Sequence, residues 1–311
     1  MSPRTGIIAL LTGLAVILMG LEIGSPFILN HFSNIERRVE NESAAARTLR
    51  PYTPDGRPTV LLTGNSLLLE GVQLDALRDK LAPQAEVSRL AIEQTHYFDW
   101  YFGLRRMLQE GSHPSMIVIS LATDQFASRL SLDESFAHRQ LSARDLPLAV
   151  REMQVDKTTA STYFFAHFSN WLADKGFLRQ DVLILLVPHF RELAARIADH
   201  GAHIHDPSVL LATAQQRLPE LRELGQTYGV KIVLLVPPTL RPDHSQEIQH
   251  LGDTIGVPVW VPSPPGEFPR SLFRDGFHLN SQGSEIFTTR LADQIRAQVG
   301  NRQANYQAEG K

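Results

Sequence analysis

The sequence has 311 residues, of which 43% are hydrophobic and 20% charged, and its formal net charge is −3, a composition typical of a globular protein with one large core. The small net charge and the lack of a basic stripe argue against a nucleic-acid partner. The chain contains no cysteine, which excludes disulfides, thiolate metal sites and cysteine nucleophiles and is compatible with an oxidising compartment without identifying one.

The amino-terminal segment is almost entirely apolar from Gly6 to Leu21, and a second short apolar stretch follows Glu22. A helix extended through Leu29 would cross a hydrocarbon layer of roughly 30 Å. A cleaved signal peptide is the alternative, but no Ala-x-Ala-like site follows the run, which favours an uncleaved signal anchor. We therefore predict that residues 1–29 form a single transmembrane helix, with the amino terminus in the cytoplasm and the body extracytoplasmic, either periplasmic or extracellular.

Residues 30–57 are polar and contain a helix-compatible stretch from about Ile35 to Leu49. We interpret this segment as a stalk or linker that holds the body away from the membrane. The body is then expected to extend over residues 58–300, followed by a polar, disordered tail at 301–311.

The body alternates short apolar runs with amphipathic segments, which predicts a doubly wound α/β sheet of about five strands. The expected strands are near Val60–Leu62, Glu86–Ile92, Met116–Ala122, Val230–Val236 and Val257–Val261. Helical stripes are expected at Val72–Leu81, Phe98–Leu108, Leu210–Leu221, Ile248–Ile255 and Phe287–Val299, with Asp206 and Asn280 as N-caps of the third and the last of these.

A helical insertion is predicted over residues 126–205. Phe164, Phe165, Phe168, Trp171 and Leu172 recur at helical spacing, and we interpret this aromatic face as core packing rather than as a lid or an acceptor platform. The apolar run Val182–Val187 is assigned to a helix, although the run by itself also fits a strand. Pro188 would kink or cap it.

Four residues with ligand-like chemistry lie close together at the end of this insertion: His200, His203, His205 and Asp206. Their tight local spacing is more typical of a solvated loop than of a catalytic metal site, which recruits ligands from several elements. We therefore predict neither a metal ion nor a cofactor.

A serine follows the first strand directly, in the sequence Gly64-Asn65-Ser66-Leu67. In an open α/β sheet, ligands bind at the carboxyl ends of the strands, and a glycine at such a turn can lift the next side chains into the crevice. A serine hydroxyl is a weak nucleophile until a base activates it. The pattern Asp275-x-x-His278 near the other end of the chain provides a base and a carboxylate to orient it, as in a Ser-His-Asp triad.

These two stretches, in this order, resemble the SGNH/GDSL hydrolase family. Gly64-Asn65-Ser66-Leu67 is similar to the family's Gly-Asp-Ser-Leu block, and Asp275-x-x-His278 is similar to its Asp-x-x-His block. The resemblance implies a flavodoxin-like α/β/α fold with Ser66 as nucleophile, His278 as general base and Asp275 as the residue that orients it.

The oxyanion hole is the place where the sequence departs from that family, whose members usually have a glycine after the second strand and an asparagine after the third. The corresponding stretches here contain Gln94, and Asp124 with Gln125. An ionised Asp124 cannot donate a hydrogen bond. The backbone N–H of Ser66 and the amide of Gln94 or Gln125 are therefore the expected donors, with Gly64 and Asn65 in the same pocket.

Two functional hypotheses follow. In the first, the protein is a serine esterase or acyl (acetyl) transferase that acts on an extracytoplasmic ester or polysaccharide, with a membrane-bound acyltransferase as a partner that the resemblance implies. In the second, the fold is a catalytically degenerate binding or assembly subunit of a cell-surface polysaccharide modification system. The missing glycine and asparagine favour the second hypothesis, and the complete triad favours the first.

Overall fold

A computed structural model describes residues 3–131, 133–187, 189 and 206–309 of the chain. The chain divides into two compact units. A helical unit contains Met1–Glu40 and Leu132–Gly201, and an α/β unit contains Asn41–Ser131 and Ala202–Lys311. His200, His203, His205 and Pro188 lie outside the described residues.

The α/β unit contains one parallel sheet of five strands, which confirms the predicted fold class. The strands are β1 (Thr59–Gly64), β2 (Glu86–Ala91), β3 (Met116–Ser120), β4 (Lys231–Leu235) and β5 (Val259–Trp260). Their order across the sheet is β2-β1-β3-β4-β5. This is the flavodoxin-like order, in which the chain moves from β1 to one side and then to the other, so that a crevice opens at the carboxyl ends of β1 and β3.

Helices precede, connect and follow the strands. They are α2 (Asn34–Arg47), which enters this unit at Asn41, and α3 (Ser66–Gly71), α4 (Leu74–Leu81), α5 (Tyr97–Gln109) and α6 (Thr123–Ala127). After the insertion follow α11 (Pro207–Tyr228), α12 (Ser245–Ile255), a 3₁₀ turn at Arg270–Leu272 and α13 (Ser281–Glu309). As predicted, Asp206 caps α11 by accepting from Ser208 N, and Asn280 caps α13 by accepting from Gly283 N.

The sheet is covered on both faces. Alternate strand residues such as Val60, Leu62 and Val118 belong to one buried core with residues of α3, α4 and α13. The intervening strand residues point to the other face. There α11 packs against Ile232, and Gly225 has no room for a larger side chain, because a Cβ would lie 2.7 Å from the Val230 carbonyl oxygen.

The segment expected to be a stalk is in part integrated into the α/β unit. Thr59 N donates to the carbonyl oxygen of Pro51 (3.0 Å), and Ser112 Oγ donates to that of Ala46 (2.7 Å). Ala46 is fully buried. At the other end of the chain, α13 continues to Glu309, whereas the sequence analysis expected a disordered tail from Asn301.

The helical unit consists of α1 (Pro3–Phe32), the start of α2, α7 (Asp133–Arg139), α8 (Leu146–Glu152), α9 (Lys157–His167) and α10 (Asn170–Leu186). Helix α1 is long and apolar enough, by length and composition, to cross a membrane. It contacts α10, and α7 contacts both α9 and α10. Arg139 of α7 pairs with Glu36 and, at 2.9 Å, with Asp174.

Two expectations about the insertion are wrong, and one is confirmed. The aromatic residues do not lie on one helix, because Ser169 caps a new helix by accepting from Leu172 N (3.2 Å) and so separates α9 from α10. Nor do they form core, since Phe164, Phe165 and Phe168 are 50%, 60% and 66% exposed. The helical assignment of the apolar run is correct up to Leu186, where α10 ends.

Candidate active site

Ser66 is the first residue of α3 and follows β1 after a single intervening residue. Gly64 is required there, because a Cβ would lie 2.6 Å from the carbonyl oxygen of Ser120 on the neighbouring strand. Asn65 caps α3 by accepting from Leu67 N (3.0 Å). This sharp change from strand to helix places the half-buried Ser66 side chain at the carboxyl edge of β1.

His278 lies between Ser66 and Asp275, within hydrogen-bond distance of both side chains. Its Nδ1 is 2.8 Å from Asp275 Oδ2, and its Nε2 is 3.0 Å from Ser66 Oγ. An ionised carboxylate only accepts hydrogen bonds, so Nδ1 carries the proton and Nε2 is left to accept from the Ser66 hydroxyl. The three side chains therefore form a continuous Ser-His-Asp hydrogen-bonded chain.

The loop that carries Asp275 and His278 is organised around the carboxylate. Asp275 Oδ1 accepts from the backbone N–H groups of Phe277 (2.9 Å) and His278 (2.8 Å). Gly276 between them has a φ of +92°, in the left-handed region that favours glycine. The local turn thus holds the carboxylate through Oδ1 and leaves Oδ2 for the imidazole.

These contacts keep Asp275 ionised. Partial burial opposes ionisation, but hydrogen bonds from the backbone and side chain of His278 and from Phe277 N hold the pKa of Asp275 far below its usual range. Arg274 also lies 3.3 Å from Asp275 and forms an ion pair with Glu70 (2.7 Å). The acidic member of the triad is therefore an anion over the physiological pH range.

The predicted pocket residues differ in their burial and in their hydrogen bonds. Asn65 is buried and its amide is fully engaged, because Nδ2 donates to the Thr95 carbonyl oxygen (2.9 Å) while Oδ1 caps α3. Gln125 accepts from Ala122 N through Oε1 (3.0 Å), which leaves its Nε2 as the donor end. Gln94 is exposed and has a φ of +62°, a backbone conformation that is strained for a residue other than glycine.

His96 is a residue of this region that the sequence analysis missed. Burial lowers the pKa of His96, and the nearby Asp124 carboxylate opposes that shift. Its buried Nδ1 has no hydrogen-bond partner among the described residues. The Asn65–Thr95 hydrogen bond holds the loop before His96 beside the residue that precedes Ser66. A histidine on a loop after β2 has no local signature, so only the fold places it here.

Within the described ranges, no group of three or more His, Cys, Asp or Glu side chains is arranged to hold a metal ion. The chemistry that this site can perform with the residues in place is nucleophilic attack by a base-activated serine.

Comparisons with known proteins leave the family of the chain open. No protein-family model matches it, and no curated protein matches it. One solved structure that is similar is LAE5, an alpha/beta hydrolase enzyme from the metagenome of Lake Arreo, Spain, at 12% sequence identity and a TM-score of 0.39. The alignment covers 78% of this chain and 95% of that one. A similarity at this level carries no argument, so the α/β class rests on the sheet itself.

Proposed function

We propose that the protein is a membrane-anchored serine esterase or acyltransferase of the SGNH/GDSL type. One observation carries the proposal: the hydrogen-bonded chain from Ser66 through His278 to Asp275 at the carboxyl edge of β1. The motifs that contain these residues are those that resemble the family, and the order of the strands is compatible with it.

The reaction would proceed through an acyl-enzyme. Ser66 Oγ attacks the carbonyl carbon of an ester while His278 Nε2 takes the hydroxyl proton, and Asp275 stabilises the imidazolium. When the tetrahedral intermediate collapses, the alcohol leaves with the proton from His278, and the acyl group remains on Ser66. Water or a sugar hydroxyl then gives its proton to His278 and attacks the acyl carbon. When the bond to Ser66 breaks, His278 returns that proton to Ser66 Oγ, which completes hydrolysis or transfer and restores the free enzyme.

The developing oxyanion needs donors, and this chain offers three candidates. The backbone N–H of Ser66 is the first of α3 and has no intrahelical partner. The loop at Gln94 is a second source, because the left-handed conformation allows a glutamine to stand where the family usually has glycine. Gln125 Nε2 is a third candidate, whereas the buried Asn65 amide already donates to the Thr95 carbonyl oxygen.

The test uses the full chain in detergent, with a fluorophosphonate probe and with p-nitrophenyl acetate. We expect covalent labelling and turnover, and we expect Ser66→Ala to abolish both. Ser208→Ala, at an exposed serine in the first turn of α11, is the matched control and should behave as the unmodified protein. Equal activity in Ser66→Ala and the unmodified chain would end the catalytic proposal.

A second function is supported by Asp124, an acidic residue that stands where the family has a donor. If the oxyanion hole is degenerate, the protein acts as a binding or assembly subunit of a cell-surface polysaccharide modification system. No probe labelling, together with polysaccharide binding that Ser66→Ala leaves unchanged, would favour this alternative.

The substrate and the partner are part of the same proposal. An extracytoplasmic body suits an ester-modified polysaccharide, and a membrane-bound acyltransferase would supply acyl groups on the same side. Incubation with a polysaccharide and p-nitrophenyl [¹⁴C]acetate distinguishes acyl transfer from hydrolysis. Label recovered on the sugar indicates transfer, and label recovered only as acetate indicates hydrolysis.

A further inference from the structure

Three phenylalanine side chains form an exposed cluster at the end of α9 in the helical unit. The ring of Phe164 lies 5.5 Å from that of Phe165 and 5.4 Å from that of Phe168, measured between ring centres. Each ring is at least half exposed. Contiguous exposed apolar groups of this kind mark an interaction surface rather than a random surface residue.

Hydrogen bonds connect the segment directly after the cluster to one residue of helix α1, Glu22. Phe168 precedes Ser169, whose Oγ donates to the Glu22 carboxylate (2.8 Å). The same carboxylate accepts from the backbone N–H of Asn170 (2.5 Å) and of Trp171 (3.3 Å) at the start of α10. Glu22 thus fixes the chain directly after the aromatic cluster against α1.

Glu22 is also the first charged residue of α1 after Arg4. Large apolar side chains from Ile7 to Met19 are 51–72% exposed, and Ile23 and Phe27 beyond Glu22 are each 67% exposed. At about 1.5 Å per residue, the stretch from Pro3 to Leu21 is roughly 28 Å long, close to the thickness of a bilayer's hydrocarbon core. A membrane that covers this stretch therefore ends near Glu22.

The exposed face of α9 changes from polar to apolar along the helix. Lys157, Thr158 and Ser161 are exposed in its first turns, and Phe164, Phe165 and Phe168 are exposed at its end. Phenylalanine rings at the boundary between headgroups and acyl chains are a common way in which a protein surface binds a bilayer.

We propose that Phe164, Phe165 and Phe168 insert into the lipid interface next to the transmembrane helix and hold the helical unit on the membrane. The occupant is the bilayer itself, because the Glu22 contacts place the cluster at the level where the uncharged apolar stretch of α1 ends at its first carboxylate. This second attachment is independent of the catalytic proposal and would remain if Ser66 proved inert.

The full chain reconstituted into phosphatidylcholine vesicles provides the test. The chain has no cysteine, so a single introduced cysteine can carry an NBD fluorophore without any other change. Phe165→Cys is the reporter, and Lys157→Cys at the polar end of the same face is the matched control. Quenching is measured with doxyl-labelled lipid and, separately, with aqueous iodide.

We expect doxyl lipid to quench the label at position 165 at least twofold more strongly than the label at 157, and iodide to show the reverse order. Equal doxyl quenching at the two positions would overturn the proposal, as would iodide access at 165 equal to that at 157. Protection of the 165 label from both quenchers would also overturn it, in favour of a protein partner or a second copy of the chain.

Discussion

At the scale of single residues, the two carboxylate oxygens of Asp275 have different roles. Oδ1 holds the backbone of the loop and Oδ2 orients the His278 imidazole. A substitution that separates the two roles must keep a hydrogen-bond acceptor and remove the negative charge.

Asp275→Asn provides that change. The amide oxygen can still accept from Phe277 N and His278 N, but its NH₂ would face His278 Nδ1 and favour the tautomer whose Nε2–H cannot accept from Ser66. We expect kcat/KM for p-nitrophenyl acetate to fall by roughly 10³–10⁴, as the same change does in a serine protease triad, with little change in Tm. A variant that retains more than a tenth of the activity would contradict the assigned role of Asp275.

Asn65 shows why this chain departs from the aspartate that the family usually has beside the nucleophile. Its Nδ2 donates to the carbonyl oxygen of Thr95 in a site that is 1% exposed. A carboxylate would place an oxygen against that carbonyl in a buried environment, and burial would raise the pKa of the new acid.

We therefore expect Asn65→Asp to lower the free energy of unfolding by about 1–3 kcal/mol at pH 8, through one lost hydrogen bond and a buried charge. Because protonation restores a donor, the loss should shrink as the pH falls through the raised pKa. Thermal unfolding at pH 5 and pH 8 measures this, and Asn65→Ala, which has no ionisable group, is the control. A pH-independent loss in Asn65→Asp would refute the explanation.

At the scale of elements, Glu42 of α2 protects the free edge of the sheet. Its Oε1 accepts from Arg89 Nε (3.0 Å) and Nη2 (2.6 Å), and its Oε2 accepts from Ala91 N (2.8 Å). Both charged side chains are 13% exposed. Since β2 is an edge strand, this contact satisfies a backbone donor and covers part of a surface on which another strand could pair.

Replacing Glu42 by Gln should lower the free energy of unfolding by about 1–3 kcal/mol, because the amide NH₂ cannot accept from Ala91 N and Arg89 loses its counter-charge. Glu40→Gln is the matched control, since Glu40 is exposed on the same helix and its replacement should change stability by less than about 0.5 kcal/mol. Thermal unfolding of the detergent-solubilised chain measures both. Identical Tm values for the two variants would mean that this part of α2 behaves as the free stalk that the sequence suggested.

At the scale of the whole molecule, the chain combines a helix that is able to span a membrane with an α/β unit that carries the triad. Its proposed function requires that unit to be outside the cytoplasm. We expect alkaline phosphatase fused after Lys311 to be active, since that enzyme folds only in an oxidising compartment, and a green fluorescent protein fusion at the same site to remain dark. An inactive phosphatase fusion together with a fluorescent one would reverse the topology.

Much of the sheet and the residues of the candidate site could be predicted from the sequence. Strands of four or five consecutive apolar residues are buried on both faces, so the runs that contain Leu61, Val118 and Val233 are visible without any knowledge of their neighbours. The parallel arrangement then brings the ends of β1 and β3 to one edge. Ser66 and the Asp275/His278 turn stand out in the sequence because each is a short local motif, and the fold brings their side chains within hydrogen-bond distance.

Only the tertiary structure decided which surfaces are buried and which polar groups are occupied. The amide of Asn65 is unavailable to a substrate because Thr95 lies against it, and Glu42 belongs to the sheet because Arg89 and Ala91 face it. Phe164, Phe165 and Phe168 have the spacing of a core helix, yet they are exposed, because Tyr163 and Ala166 on another face of α9 are the side chains that it buries. The physical reason is the same in each case: periodicity and motifs report contacts within a few residues, whereas burial depends on segments that are distant in the chain.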